Sequence, residues 1–367
     1  MTAAATVAVP ELHGMLEPPG LVRHFLAHPP DGFSAAPLPD GTPAFVAPFD
    51  LLTTADDDLR RRVTRLPLHA WWGRLLRPRT LFVGTTVSEY ALFPAGACAA
   101  TLARDWAQGP GRRHPFLIVK DIPQESPLLD RASNTLAGEI ATACERAGFV
   151  LLEGQALAFA PIDFESTDEY LARLSASRRK DIRRKLRVRS RIEVEEIATG
   201  DPRFADAALR EAFYALYLDV YAQSEIHFDR LSRGFFDAVL QDASLGGVVF
   251  VYRVDGRMIG WNLCFVVGEA LVDKYIGFDY PAARDWNLYF VSWFHNLEYA
   301  RRHDLACYIA GWTDPEIKAA LGAKFTFTRH AVRPRSRLLR LLLKRIAGRF
   351  ESDRQWAKER AAKRDEP

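Results

Sequence analysis

The sequence contains no run of about 18 apolar residues, which excludes an obvious membrane-spanning helix. Its four cysteines, Cys98, Cys144, Cys264 and Cys307, are scattered and form no CxxC pair. That spacing excludes a disulfide frame or zinc ribbon and reads as reduced core thiols. No metal site is expected. The start, "MTAAATVAVPELHG", has no basic leader, so a cytoplasmic location is expected. Glycine is missing where it would matter most. None occurs between Gly277 and Gly311, so a glycine-rich phosphate loop is excluded there.

What is present is a globular composition, 48% hydrophobic and 26% charged, over 367 residues. That length exceeds one ordinary core and predicts two domains. The net charge is only +3, but it is unevenly placed. Residues 178–191, "RRKDIRRKLRVRSR", hold nine Lys/Arg and one Asp. Residues 333–367 hold twelve Lys/Arg and five acids, which leaves the remainder net acidic. Two basic segments of this kind suit anionic partners or a solvated face.

Periodicity predicts two strands around Asp40-Gly41, a helix ending at Gly109, and a buried strand "HPFLIVKDIP". A helix capped by Ser133 or Asn134 follows, then two strands around Gly154. The second half predicts one long basic helix from about Ser166, a strand, and two helices. A three-strand meander comes next, turning at Asp255-Gly256 and Gly268-Glu269. "DKYIGFDYPAARDWNLYF" then runs a strand into a helix with apolar bulk at Trp286, Tyr289, Phe290, Trp293, Phe294 and Leu297. That stripe is read as core. The two halves share an element order, which predicts a duplicated α/β fold with mixed sheets.

The order β-β-β-α-β-α-β, with Leu288-Tyr289-Phe290, Gly311, Glu316, Lys318 and Leu321-Gly322, resembles the GNAT acyltransferase superfamily. The tandem arrangement and the basic "LSASRRKDIRRKLR" resemble its FemAB-like subgroup. The resemblance implies two GNAT-like lobes, each a mixed, partly antiparallel sheet flanked by helices. The expected divisions are 1–162, 163–335 and a basic amphipathic helix over 336–367. It also implies an enzyme that moves an acyl or aminoacyl group to an amine. The donor would be acyl-CoA, with its pyrophosphate at a helix N-terminus, or an aminoacyl-tRNA or acyl-carrier protein. The acceptor would be an amine on a small molecule or a cell-envelope precursor.

The residues offer candidates for these roles. Asp273 and Tyr275, two apart on one strand, share a face and are expected as base and acid. A buried ion pair with an arginine elsewhere is the competing reading for Asp273. Lys274, Ile276, Arg284, Asp285, Trp286 and Lys318 are expected along the donor, with Arg284 replacing the missing glycine loop. Glu225, His227, Trp261 and Asn262 are expected near the acceptor amine. The basic run 178–191 would take tRNA phosphates or an acidic carrier. "SRLLRLLLKRIAGRF" would lie on an anionic membrane, or more simply pack on its own domain. An acyl-CoA enzyme, a tRNA- or carrier-dependent transferase, and a non-catalytic binding protein all remain open.

Overall fold

The computed structural model describes residues 11–52, 57–67, 73–224, 227–349, 353–354 and 356–357. The chain divides into two compact units, Met1–Ala156 with Thr326–Pro367, and Leu157–Phe325. These limits differ from a division at 162 and 335 because each unit takes its closing strand from the other half of the chain.

The first unit begins with β1 (Leu12–His13), α1 (Pro19–Ala27), β2 (Ser34–Ala35), β3 (Ala44–Pro48), α2 (Asp57–Thr64) and β4 (Arg79–Val83). It continues with β5 (Phe93–Pro94), α3 (Ala99–Gln108), α4 (Pro110–Arg113), β6 (Phe116–Pro123), α5 (Arg131–Arg146) and β7 (Val150–Pro161). β1 and β5 form a small separate ladder. The main ladder pairs β2 with β3 and β3 with β4 antiparallel, and β4 with β6 parallel.

The second unit holds α6 (Thr167–Ala172), α7 (Ala176–Lys185), a 3-10 turn (Leu186–Arg191), β8 (Glu193–Ala198), α8 (Ala207–Gln223) and α9 (Arg233–Gln241). The meander β9 (Gly247–Val254), β10 (Arg257–Val267) and β11 (Ala270–Phe278) follows. Next come α10 (Ala282–Asp285), α11 (Leu288–Arg302), β12 (Cys307–Gly311) and α12 (Pro315–Ala320). β13 (Lys324–Pro334) and α13 (Arg337–Ile346) follow. β8, β9, β10 and β11 pair antiparallel in turn, and β11 pairs with β12 parallel.

The exchange is visible in the pairing. β13 closes the first unit by pairing antiparallel with β6, while Ala158–Pro161 of β7 close the second by pairing antiparallel with β12. The first unit therefore shows antiparallel, antiparallel, parallel, antiparallel, and the second shows the same order from β9 onward, with β8 added as one more antiparallel strand at its edge. The Asp40-Gly41 and Asp255-Gly256 hairpins enter corresponding strands. This is the duplicated α/β fold with mixed sheets expected from the sequence.

Three local expectations change. β7 is one strand of 12 residues, not two around Gly154. A Cβ at Gly154 would collide with the Thr328 hydroxyl, so the glycine admits β13 rather than a turn. α5 is capped by Asp130, whose carboxylate accepts from the Ser133 amide at 2.7 Å. The basic helix is broken: Ser166 caps the short α6, and α7 starts afresh after Ser175.

Candidate functional site

β10 and β11 fix the site through a bulge. Leu263 stands opposite Tyr275, but Cys264 stands opposite Asp273, so Lys274 is an extra residue on β11. Strict alternation fails there, and Asp273 and Tyr275 turn to opposite faces. Trp261 marks one face: its indole donates to the Phe213 carbonyl of α8 at 2.9 Å. Tyr275 lies on that face, with its ring edge against Phe235 and Phe236 of α9, centroids 5.7 and 5.5 Å apart. Asn262 and Asp273 point the other way, to α11 and β12. The expectation of a shared cleft for Asp273 and Tyr275 is corrected by this one inserted residue.

On the α11 face Asp273 anchors a buried polar cluster. Its Oδ1 accepts from Asn262 Nδ2 at 2.6 Å. Its Oδ2 accepts from the Tyr308 hydroxyl at 2.9 Å and from Asn296 Nδ2 at 3.2 Å. Asn296 Nδ2 also reaches Asn262 Oδ1 at 2.8 Å. Asn262 and Asn296 are fully buried. Burial, then the Asp273 charge, raises the Tyr308 hydroxyl and the Cys264 thiol well above their ordinary values. Both therefore stay protonated around the carboxylate. Both oxygens of the partly buried Asp273 are thus engaged by three neutral donors.

Lys318 joins this side. It is 5% exposed, and its Nζ donates to the Ala310 carbonyl at 2.6 Å. Lysine is seldom buried so completely. The adjacent Gly311 has φ of 78°, and a Cβ there would stand 3.9 Å from Nζ and 4.0 Å from the Asp273 carbonyl oxygen. A Cβ at Gly311 would therefore sit in ordinary contact with both. The Tyr289 hydroxyl, on the first turn of α11, is buried without a hydrogen-bond partner. Burial, then the charges of Asp314 and Asp273, raises its pKa. A buried hydroxyl without a partner suits a ligand oxygen. Further along α11, His295 packs edge-on to Phe250 at 4.5 Å, and burial lowers its pKa to about 4.

In the 281–286 junction the amides from Ala283 onward are not free. The Ala283 amide donates to Asp279 O at 2.7 Å, and Arg284 and Asp285 donate to Pro281 O at 2.8 and 3.2 Å. Trp286 donates to Ala282 O at 3.0 Å and Asn287 to Arg284 O at 3.1 Å. "YPAARDWN" closes on itself as α10, and α11 begins only after Asn287 in left-handed geometry. The Arg284 guanidinium donates to Gln223 Oε1 at 2.8 Å and lies over the Tyr280 ring. Trp286 lies under the Arg191 guanidinium at 4.6 Å. Asp285 is exposed on the same turn, and Ile276 packs into the α11-side core.

The expected acceptor set is also divided. His227 meets Tyr221 edge-on at 5.0 Å beyond α8, and Trp261 is on the α8 face, whereas Asn262 is in the Asp273 cluster. Glu225 lies outside the described residues. Among the described residues no group of three His, Cys, Asp or Glu is placed to hold a metal, although His24 and His28 stand four apart at the end of α1.

The basic run is partly neutralised from within. Arg189 grips Glu298 of α11 with both guanidinium nitrogens, at 2.6 and 2.5 Å. Lys185 sits 3.8 Å over the Phe290 ring and 2.9 Å from Asp181. Arg184 pairs with Asp181 and Arg183 with Asp168, both exposed and therefore weak. Among the described residues Arg178, Lys180 and Arg187 have no partner. The run thus packs one side on α11 and leaves cations on its outer side.

Asp273, Lys318 and the Tyr289 region all fall inside one family match. The FemAB-like family, described as peptidoglycan biosynthesis and recognition, matches residues 129–357. The chain belongs to the FemAB-like family. Among solved structures, the C-terminal domain of a lysylphosphatidylglycerol synthetase assigned to Agrobacterium fabrum aligns at 13% identity and TM-score 0.52, covering 91% of each chain. L-PGS from Bacillus licheniformis aligns at 9% identity and TM-score 0.51, covering 93% of this chain and 99% of that one. FemX aligns at 12% identity and TM-score 0.48, covering 89% and 98%. These likenesses concern the fold. No curated protein sequence matches. For this FemAB-like chain, Asn296, Tyr308 and Tyr289 are the site residues that sequence reasoning missed. Asn296 carried the usable signal, as an amide within an otherwise apolar helix face.

Proposed function

We propose that the chain transfers an aminoacyl group from the 3′ ester of a tRNA to an amine of a peptidoglycan precursor, on the α11 side of the second unit. The observation that carries the choice of donor is the turn at 281–287. The amides of residues 283–287 are spent on Asp279, Pro281, Ala282 and Arg284, so those five provide no seat for the pyrophosphate of acyl-CoA. Arg178, Lys180 and Arg187 instead offer unpaired cations suited to RNA phosphates.

In the reaction the amine attacks the ester carbonyl, the C–N bond forms and the C–O bond breaks. The proton lost by the amine ends on the ribose oxygen. Lys318 supplies positive charge where the oxyanion develops. Tyr289, kept protonated by burial, hands its proton to the leaving oxygen and recovers one from the amine. Asp273 acts as a positioning residue that fixes Tyr308 and Asn296 behind Lys318.

Binding of an aminoacylated tRNA, measured over a salt series, tests the donor. Lys180→Glu with Arg187→Glu is expected to weaken binding by about tenfold or more, and to flatten the slope of log K against log salt by about 1–2. An unchanged slope contradicts the phosphate role.

A further inference from the structure

The C-terminal helix α13 is turned the wrong way for a helix that packs on its own domain. Its sequence, RLLRLLLKRI, places Leu338, Leu341 and Leu342 on one face at helical spacing. These leucines are 78%, 63% and 54% exposed, and Leu339 beside them is 44% exposed. No residue of the helix is buried. The inward face instead carries Arg340, Leu343 and Ile346, all half-buried. Arg340 is held against the backbone at Gly148, where a Cβ would stand 2.8 Å from its guanidinium. The helix thus rests on its own domain through this side and leaves Leu338, Leu341 and Leu342 outward. Such a contiguous exposed apolar face on a soluble domain marks an interaction surface.

Charge identifies what the surface meets. The helix holds Arg337, Arg340, Lys344 and Arg345 and no acid. Arg337 and Lys344 flank the leucines, and Arg345, three residues from Leu342 and four from Leu341, stands among them on the same face. Beneath the helix the cationic character continues. The Arg333 pKa is lowered by burial and by the neighbouring Arg340 and Arg112. The Nε atoms of Arg333 and Arg340 are both buried without a hydrogen-bond partner. Two copies of this face would bring like charges together, which disfavours self-association. At ten residues the helix is about 15 Å long, half of what a membrane crossing requires. Outward leucines between cations are the pattern of a helix lying in the plane of a bilayer surface.

We propose that α13 docks the protein flat on an anionic lipid bilayer, with Leu338, Leu341 and Leu342 entering the acyl boundary and Arg337, Lys344 and Arg345 meeting lipid phosphates. This docking is independent of the transfer chemistry. The test uses the full chain and vesicles of phosphatidylcholine alone or mixed equally with phosphatidylglycerol, read by co-sedimentation. Partition onto the anionic vesicles is expected to exceed that onto neutral ones by at least about tenfold and to fall at high salt. Added inorganic phosphate at constant ionic strength is expected to leave it unchanged.

Leu338→Asp with Leu342→Asp is expected to abolish the partition. It should leave the melting temperature and transfer to a soluble precursor as in wild type, because both leucines are exposed. Equal partition onto both vesicles, or none, overturns the proposal. So does displacement by free phosphate, which would mark a simple anion site. A dimer in solution that the same double variant dissolves would assign the leucine face to a second copy and also overturn it.

Discussion

Lys318→Met is expected to lower kcat/KM for aminoacyl transfer by about 10²–10³, with most of the loss in kcat. The ammonium is 5% exposed and fixed to the Ala310 carbonyl, beside Gly311. A positive charge held in a dry site acts most strongly on charge that appears only in the transition state. Methionine keeps the length and the burial of the side chain and removes the charge. Its effect on folding is therefore expected to be small, within about 1–2 kcal/mol, since one hydrogen bond is lost and one buried charge is relieved. Steady-state kinetics with a thermal melt on the same preparation separates the two roles. A loss of less than about threefold in kcat, or a rise in KM alone, would make Lys318 a structural or ground-state contact.

Asp273→Ala is expected to destabilise the protein by about 3–5 kcal/mol, the cost of breaking a buried charged network by removing its centre. The variant removes the acceptor of the buried Asn262 amide and Tyr308 hydroxyl, while the Asn296 amide keeps Asn262 Oδ1 and the Tyr308 oxygen. Against a total stability of about 5–15 kcal/mol, this is a large fraction. Thermal or denaturant unfolding measures it, with a fall in Tm on the order of 10 °C expected. Tyr275→Phe, two residues along the strand but on the opposite face, is expected to cost about 1.5 kcal/mol or less. An Asp273→Ala protein with wild-type stability and no turnover would contradict the positioning role and favour direct proton abstraction.

The strands and helices of the second half were legible because their periods are clean and their turns carry Asp-Gly or Gly at positive φ. Other features depend on contacts that no local pattern encodes. The exchange of β7 and β13 between units pairs strands that are far apart in sequence. The side-chain direction of Asp273 was lost through the bulge at Lys274, because alternation assumes an unbroken ladder. Asn296 was hidden in a stripe that reads correctly as core. "YPAARDWN" was read as an open helix start, and only the backbone shows that its amides from Ala283 onward are taken by nearby carbonyls. The tail showed its amphipathic character in sequence but not its direction, since the pattern defines a leucine face without saying which side the domain occupies. Lys318 was legible as a residue of interest from the family-like spacing. Its burial, which gives it chemical weight, was not.

The most direct measurement is a mass-resolved transfer assay on the wild-type chain. Purified protein is incubated with a UDP-linked muramoyl pentapeptide, together with either a charged tRNA pool or acetyl-CoA. The account predicts that the precursor gains the mass of an amino-acid residue from the tRNA pool, that RNase treatment abolishes this gain, and that acetyl-CoA gives none. An acetyl mass gain with no aminoacyl product, or an aminoacyl gain that survives RNase, would contradict it.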